Sequence, residues 1–420
     1  MYALALETKN IILMKKIYPL LYFVFCCGMI SAQNEKIDKL KEWLSQDNRK
    51  IEDFRFADKP LTKEEAETAA KLIYSKRLED IKRTYQQSWD EKKFVANRYE
   101  MKFEYNIHGA KPQDGRSLYI SLHGGGSTPE EVNDQQWKNQ INLYKPAEGI
   151  YLSPRAAVND WDMWFKPHVD ALYEMIIQSA VAIMDVNPNK VYVMGYSAGG
   201  DGVYRIGTRM ADHWAAASMM AGHPGNVSPL SLRNTGFSIW MGINDRAYNR
   251  NSEAARFGGL LDSLSRENPT AYKHSVHIVA DKGHWMDRVD TAAMHWMREF
   301  VRNPYPEKIA WRQDDVIRDK FYWLSVMKNE ALPGMEVIVA CKDNTINIIK
   351  NDYPTIYISL NDHLIDYSKP VKVMYQGKLL AKVKPSRSIG NIYKSVNDAN
   401  IGSVYTSCLT IKRNKTVKKR

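Results

Sequence analysis

Polar and apolar positions follow three different patterns in turn along the chain. After Pro60-Leu61, Thr62 and Glu65 stand in the Ser/Thr-x-x-Glu spacing of a capping box. Behind them Ala66, Ala69, Ala70, Ile73, Leu78 and Ile81 recur at helical spacing. This predicts a long amphipathic helix to about Trp89, within a helical lead-in over 34–94 that packs on the main domain. From about residue 98 the period changes. Residues 98–107 alternate polar and apolar like a half-buried strand. Short apolar runs then fall at 117–122, 150–152, 191–194, 215–220, 237–241 and 274–279. Helix-like stretches at 170–186, 254–265 and 292–302 are interleaved with them. Short buried strands alternating with helices predict parallel βαβ units over 95–305. Residues 306–334, rich in Pro and Trp, are expected to be a packed connector. Residues 336–340, 345–349, 355–360, 371–375, 379–384 and 402–411 then read as short strands of a small β-sandwich-like domain over 335–412. Residues 413–420 are expected as a solvated basic tail.

Composition narrows the function classes. The chain has 420 residues, 44% of them hydrophobic, enough for a sizeable core. The net charge of +11 points at first to a nucleic-acid partner. Lys412, Arg413, Lys415, Lys418, Lys419 and Arg420 carry about half of it, and the rest is scattered with no basic stripe among aromatics. Nucleic acid is therefore not expected as a partner. The N-terminus reads as an export signal over 1–33: Lys15-Lys16, an apolar run over 17–30, then Ser31-Ala32-Gln33. Met14 opens that signal, so residues 1–13 are expected to be an upstream start artefact. The run is too short for a stable membrane span. Cys26-Cys27 raises a lipid anchor, which Phe25 before the first cysteine fits poorly. An exported chain, periplasmic or secreted, is expected. Cys341 and Cys408 remain after cleavage, either paired in an oxidising compartment or left as buried thiols. No Cys/His cluster has zinc-ligand spacing.

The candidate chemistry starts at Gly195-Tyr196-Ser197-Ala198-Gly199. A Gly-x-Ser-x-Gly match alone turns up by chance in about one chain in seven of this length. Its position, after a β-branched run and before a helix-like stretch, is the strand–turn–helix setting that presents a nucleophilic serine. His123-Gly124-Gly125-Gly126 is far rarer and also ends an apolar run. Its glycines let backbone N–H groups approach an acyl oxygen, so Gly124, Gly125 and the N–H of Ala198 are candidates for an oxyanion hole. His123 is expected to hold this loop. A serine hydroxyl needs a base. Asp245 follows the run at 237–241 and His284 follows the run at 274–279, in the order Ser, acid, His. His223, His274, His277 and His295 are weaker candidates for the base. Asp281 and Asp287 lie too close to His284 to fold back as its acid.

Together these motifs resemble the α/β-hydrolase superfamily, and within it the secreted esterases grouped with polyhydroxybutyrate depolymerases, feruloyl esterases and acetylxylan esterases. The resemblance covers about residues 100–305. It implies an α/β-hydrolase fold, a mostly parallel sheet flanked by helices. It also implies ester hydrolysis by Ser197, Asp245 and His284, with no cofactor and no metal. The C-terminal β domain is not a standard part of that fold. The expected partner is an ester, small or carried on a polysaccharide or polyester. The alternatives are a serine peptidase of the same fold and a non-catalytic carbohydrate- or partner-binding protein.

Overall fold

The computed structural model describes residues 35–419 apart from 399 and 414. The expected export segment, residues 1–33, lies outside the described residues. Eight strands form the main sheet: β1 (Lys93–Ala96), β2 (Tyr99–His108), β3 (Arg116–Leu122), β4 (Gly149–Pro154), β5 (Val186–Tyr196), β6 (Ala216–Met220), β7 (Gly236–Gly242) and β8 (His274–Val279). Their spatial order is β1-β2-β4-β3-β5-β6-β7-β8. β2 pairs antiparallel with β1 and β4, and from β4 through β8 all neighbours are parallel. β6 and β7 are buried at every position and β3 at all but its first. Strands covered on both faces read as continuous apolar runs, the pattern seen in the sequence. β8, at the edge, has no fully buried position, which is why it tolerates His274 and His277.

Helices cover both faces: α1 (Lys63–Asp90), α2 (Glu130–Ile141), α3 (Val169–Met184), α4 (Ala198–Arg209), α5 (Arg250–Glu267) and α6 (Ala292–Met297). Leu118, Ile120, Val193 and Ile239 point to one face and pack with Ile176 of α3, Val203 of α4 and Phe257 of α5. Tyr119, Tyr192, Met194 and Trp240 point to the other and pack with Met294 and Met297 of α6. The pleat sends successive side chains to opposite faces, so one strand supplies both layers. Among the described residues, no helix is long and apolar enough to cross a membrane.

The capping box at α1 is formed: Glu65 N–H donates to Thr62 Oγ1 at 3.2 Å, and Thr62 N–H to Glu65 Oε2 at 2.8 Å. α1 packs on α3 and also on α7 (Ile389–Asp398), a helix the sequence pattern did not indicate. Trp43, Phe54 and Ile73 meet Ile392 and Val396 there, so the lead-in packs on the C-terminal region as well as on α3.

Two five-stranded sheets follow among the described residues. One runs β10 (Lys320–Phe321), β11 (Leu324–Val326), β14 (Thr355–Leu360), β17 (Ser407–Lys412), β18 (Thr416–Lys419). The other runs β16 (Lys378–Val383), β15 (Val371–Tyr375), β13 (Thr345–Asn351), β12 (Glu336–Lys342), β9 (Lys308–Arg312). Residues 306–334, expected as a connector, thus supply β9, β10 and β11. β10 and β11 have two and three residues, too few to display a period of two. The expected solvated tail supplies β18, where half-buried Val417 lies opposite Ile411 while Lys418 and Lys419 stay exposed, as suits an edge strand. No disulfide joins Cys341 on β12 to Cys408 on β17. Burial pushes the Cys341 thiol up to about 12.

A buried polar network ties these sheets to the main domain. Asp212 accepts from His213 Nδ1 at 3.0 Å, from Asn400 Nδ2 at 2.6 Å and from Tyr322 N–H at 3.2 Å. Glu174 of α3 lies 3.6 Å from His213 Nε2 and accepts from Arg318 Nη2 at 2.9 Å.

Candidate active site

β5 ends at Tyr196 and α4 begins at Ala198, leaving Ser197 alone in the turn with φ 57° and ψ −120°. Such a conformation costs a non-glycine residue roughly 1–3 kcal/mol and persists only where its surroundings enforce it. Here Ser197 N–H donates to Met220 O at 2.9 Å. The turn is too tight for side chains on its flanks: a Cβ on Gly195 would lie 2.4 Å from Gly199 O, and one on Gly199 would lie 2.2 Å from Leu122 O. The two motif glycines are therefore demanded by the close approach of β3, β5 and α4.

The structure brings Ser197, His284 and Asp245 together. Asp245 sits in the turn after β7 and is 3% exposed. His284 lies in the loop after β8. Backbone bonds lock the two loops to each other: Ile243 N–H donates to Val279 O at 3.0 Å and Asn244 N–H to Lys282 O at 2.8 Å. His284 Nδ1 is 2.7 Å from Asp245 Oδ2, and its Nε2 is 3.0 Å from Ser197 Oγ. An ionised carboxylate only accepts, so Nδ1 carries the proton and the Nε2 lone pair faces the serine hydroxyl. Asp287, the nearby acid, instead pairs with Lys282 at 2.6 Å. His277 stacks on Trp240, and His274 bonds Asp262.

The glycine loop after β3 is held from three sides. His123 is fully buried; its Nε2 accepts from Ala156 N–H at 3.2 Å, so its Nδ1 donates to Gly124 O at 2.6 Å. Burial pushes this ring down to about 3, and it stays neutral. Trp164 Nε1 donates to His123 O at 2.8 Å. Asn133 of α2 is a latch that the sequence reading missed. Its Oδ1 accepts from Gly126 N–H at 2.9 Å and its Nδ2 donates to Thr128. Gly125, at φ 107°, passes so close that a Cβ there would lie 2.3 Å from Asn133 Oδ1. The Gly126 donor is consumed by the latch, whereas the N–H groups of Gly124 and Gly125 donate to no described group. Gly124 lies against Ser197: a Cβ on this glycine would stand 3.3 Å from Ser197 Cβ. The N–H of Ala198, first residue of α4, has no intrahelical acceptor.

Tyr196 was also missed. Its hydroxyl donates to His284 O at 2.6 Å and accepts from Met286 N–H at 3.1 Å, pinning the histidine loop. Beside Ser197 opens a cleft of about 510 Å³. Trp161 and Tyr248, 62% and 77% exposed, line its rim. Asp201, Arg205, His223 and Arg250 are its titratable lining. Burial raises Asp201 to about 6 and lowers His223. Trp164, by contrast, is core.

No family model and no curated protein matches the chain. Among solved structures it is similar to a thermostable esterase, at 16% identity and TM-score 0.39, over 50% of this chain and 62% of that one. It is similar to a carboxylesterase of Bacillus cereus at 16% identity and TM-score 0.34, over 47% of this chain and 94% of that one. A ferulic acid esterase is similar at 14% identity and TM-score 0.36, over 49% and 95%. The chain thus spans less than two thirds of the first of these. The strand order, the single sense from β4 to β8 and the serine turn between β5 and α4 define an α/β-hydrolase fold.

Proposed function

We propose that the protein is an exported serine hydrolase that cleaves carboxylic esters through Ser197, His284 and Asp245. The observation that carries this reading is the unbroken relay from Ser197 Oγ through His284 to Asp245, at 3.0 and 2.7 Å. His284 Nε2 takes the hydroxyl proton as Oγ attacks the ester carbonyl. Asp245 keeps the ring oriented and stabilises the imidazolium. The N–H groups of Gly124, Gly125 and Ala198 receive the developing oxyanion, each such donor being worth about 3 kcal/mol in the transition state. Collapse breaks the bond to the alcohol, which leaves with the proton from His284. Water, deprotonated by the same nitrogen, then releases the acid from Ser197.

Ser197→Ala should abolish turnover of p-nitrophenyl acetate and labelling by a fluorophosphonate. Activity retained in that variant would sink the reading. The export part rests on residues 15–33. N-terminal sequencing of the processed chain should start within a residue or two of Gln33, and a mature chain beginning at residue 1 would contradict it.

A further inference from the structure

Several buried guanidinium groups place every nitrogen, although Arg49 and Arg233 each leave a buried Nε without a partner. Arg209, 1% exposed, uses Nε, Nη1 and Nη2 on Asp170 and the carbonyl of Phe165. Arg302 and Arg155 likewise place all three nitrogens. Arg205, which lines the cleft, is held by Asp314 at 3.1 Å and Asn226 at 2.9 Å. Arg250 departs from this pattern. Its side chain is only 15% exposed, yet among the described residues none of its five N–H groups makes a hydrogen bond, and its Nε is buried without a partner. It has an ionic contact, Nη1 to Asp245 Oδ1 at 3.5 Å, lies near enough to Asp201 to favour that carboxylate's charged form, and has the Tyr248 ring 4.9 Å from its Cζ.

A guanidinium whose Nε is buried without a partner and whose N–H groups make no hydrogen bond gains when an acceptor arrives. Arg250 lines the same cleft as Ser197. Of the other charged groups there, Arg205 is already engaged, and Asp201 accepts His223 N–H at 2.6 Å. Trp161 and Phe165, edge to face at 5.4 Å, supply flat apolar walls. The cleft therefore offers an apolar slot beside the nucleophile with one unsatisfied planar fork of donors. That fork matches the two oxygens of a carboxylate.

We propose that the cleft takes esters bearing a second, free carboxylate, and that Arg250 is the residue that receives it. This rests on the ester-hydrolase reading above.

The test compares matched esters by pH-stat. On the acyl side, monomethyl glutarate is set against methyl pentanoate; on the alcohol side, acetoxyacetate is set against propyl acetate. Each is run on the wild type, Arg250→Gln and Arg250→Lys, with fluorophosphonate labelling of Ser197 in parallel. The quantity read is the ratio of kcat/KM for the anionic ester to that for its neutral partner, so that each variant is its own control. The wild type should favour the anionic ester of one pair by about tenfold or more. Arg250→Gln should cut that ratio about 10- to 100-fold, mainly through KM, and Arg250→Lys should keep part of it. The arm that shows the preference tells which side of the ester carries the carboxylate. An unchanged ratio in Arg250→Gln, with both esters slowed alike, would make Arg250 only an orienting partner of Asp245 and overturn the proposal. So would a wild type that labels at Ser197 and cleaves the neutral esters without favouring either anionic one. Failure to label Ser197 or cleave any ester would instead bring down the hydrolase reading, and this inference with it.

Discussion

Two histidines among the described residues each hold an aspartate through Nδ1, and their surroundings set them apart. His284 Nδ1 is 2.7 Å from Asp245, and His213 Nδ1 is 3.0 Å from Asp212. The difference lies at the second nitrogen. His284 Nε2 meets the neutral hydroxyl of Ser197, and 44% of its side chain is exposed. His213 Nε2 meets Glu174 at 3.6 Å, and only 5% of its side chain is exposed. Burial alone would lower the His213 pKa, but Asp212 and Glu174 outweigh it and the net shift is upward. Glu174 is correspondingly held down at about 2, its own burial being overcome by His213 and Arg318. At His284 one neighbour of the ring is a carboxylate and the other a hydroxyl. A ring between two carboxylates has its protonated form favoured.

The largest effect expected is at the first pair. Asp245→Asn keeps the shape of the side chain but lets its amide face Nδ1, favouring the tautomer with its proton on Nε2. A drop in kcat of about 10⁴ is expected, in line with the cost of a wrong tautomer in such relays, with little change in melting temperature. If Asp287→Asn causes that drop instead, the acid is misassigned and the comparison collapses.

The second pair should answer in stability and not in catalysis. His213→Gln leaves Asp212 and Glu174 with Arg318 as the cation beside them. Breaking a buried ion pair from one side costs about 3–5 kcal/mol. The denaturant midpoint should fall accordingly, while kcat per folded molecule holds. The effect should also depend on pH. A group whose pKa is raised by folding stabilises fully below its unfolded value, near 6.5 for histidine, and loses that contribution as pH climbs through the raised value. Glu174 works the other way: its contribution is present above about 4.5 and is lost as pH falls toward 2. The gap between wild type and His213→Gln should therefore be widest between these limits and narrow on the alkaline side. A gap independent of pH would mean that His213 acts by packing alone.

The contrast also explains what the sequence could reveal. Ser197, Asp245 and His284 each follow an apolar run closed by a turn, so their positions at strand ends were legible from the pattern. The glycines were legible because they mark places where backbones nearly touch. Asp212-His213 is just as polar and sits beside apolar residues too, yet its meaning comes from Glu174, Arg318 and Asn400, brought from 38 or more residues away in either direction. Nothing local announces such partners. Arg250 and Asn133 were hidden for the same reason: each looks like an ordinary polar residue at the start of a helix. β10 and β11 were too short to show a period. α7 went unread because its apolar side, Ile389, Ile392 and Val396, becomes a pattern only against the N-terminal segment that covers it.

Tyr196 sets the finest test of the comparison, because it tells whether His284 needs the same fixing as His213. His213 is clamped through its ring on both sides. His284 is clamped through its ring by Asp245 and through its backbone by the Tyr196 hydroxyl, at 2.6 Å from His284 O. Tyr196→Phe removes that donor and strands both the carbonyl of His284 and the N–H of Met286. A lost hydrogen bond of this kind costs about 0.5–1.5 kcal/mol, somewhat more where the partners stay buried. The loop should then hold the ring less tightly over Ser197, and kcat should fall several-fold with KM little changed. Thermal melts and steady-state rates on one neutral ester measure both effects. Equal losses of stability with no change in kcat would show that Asp245 alone is enough to aim the ring.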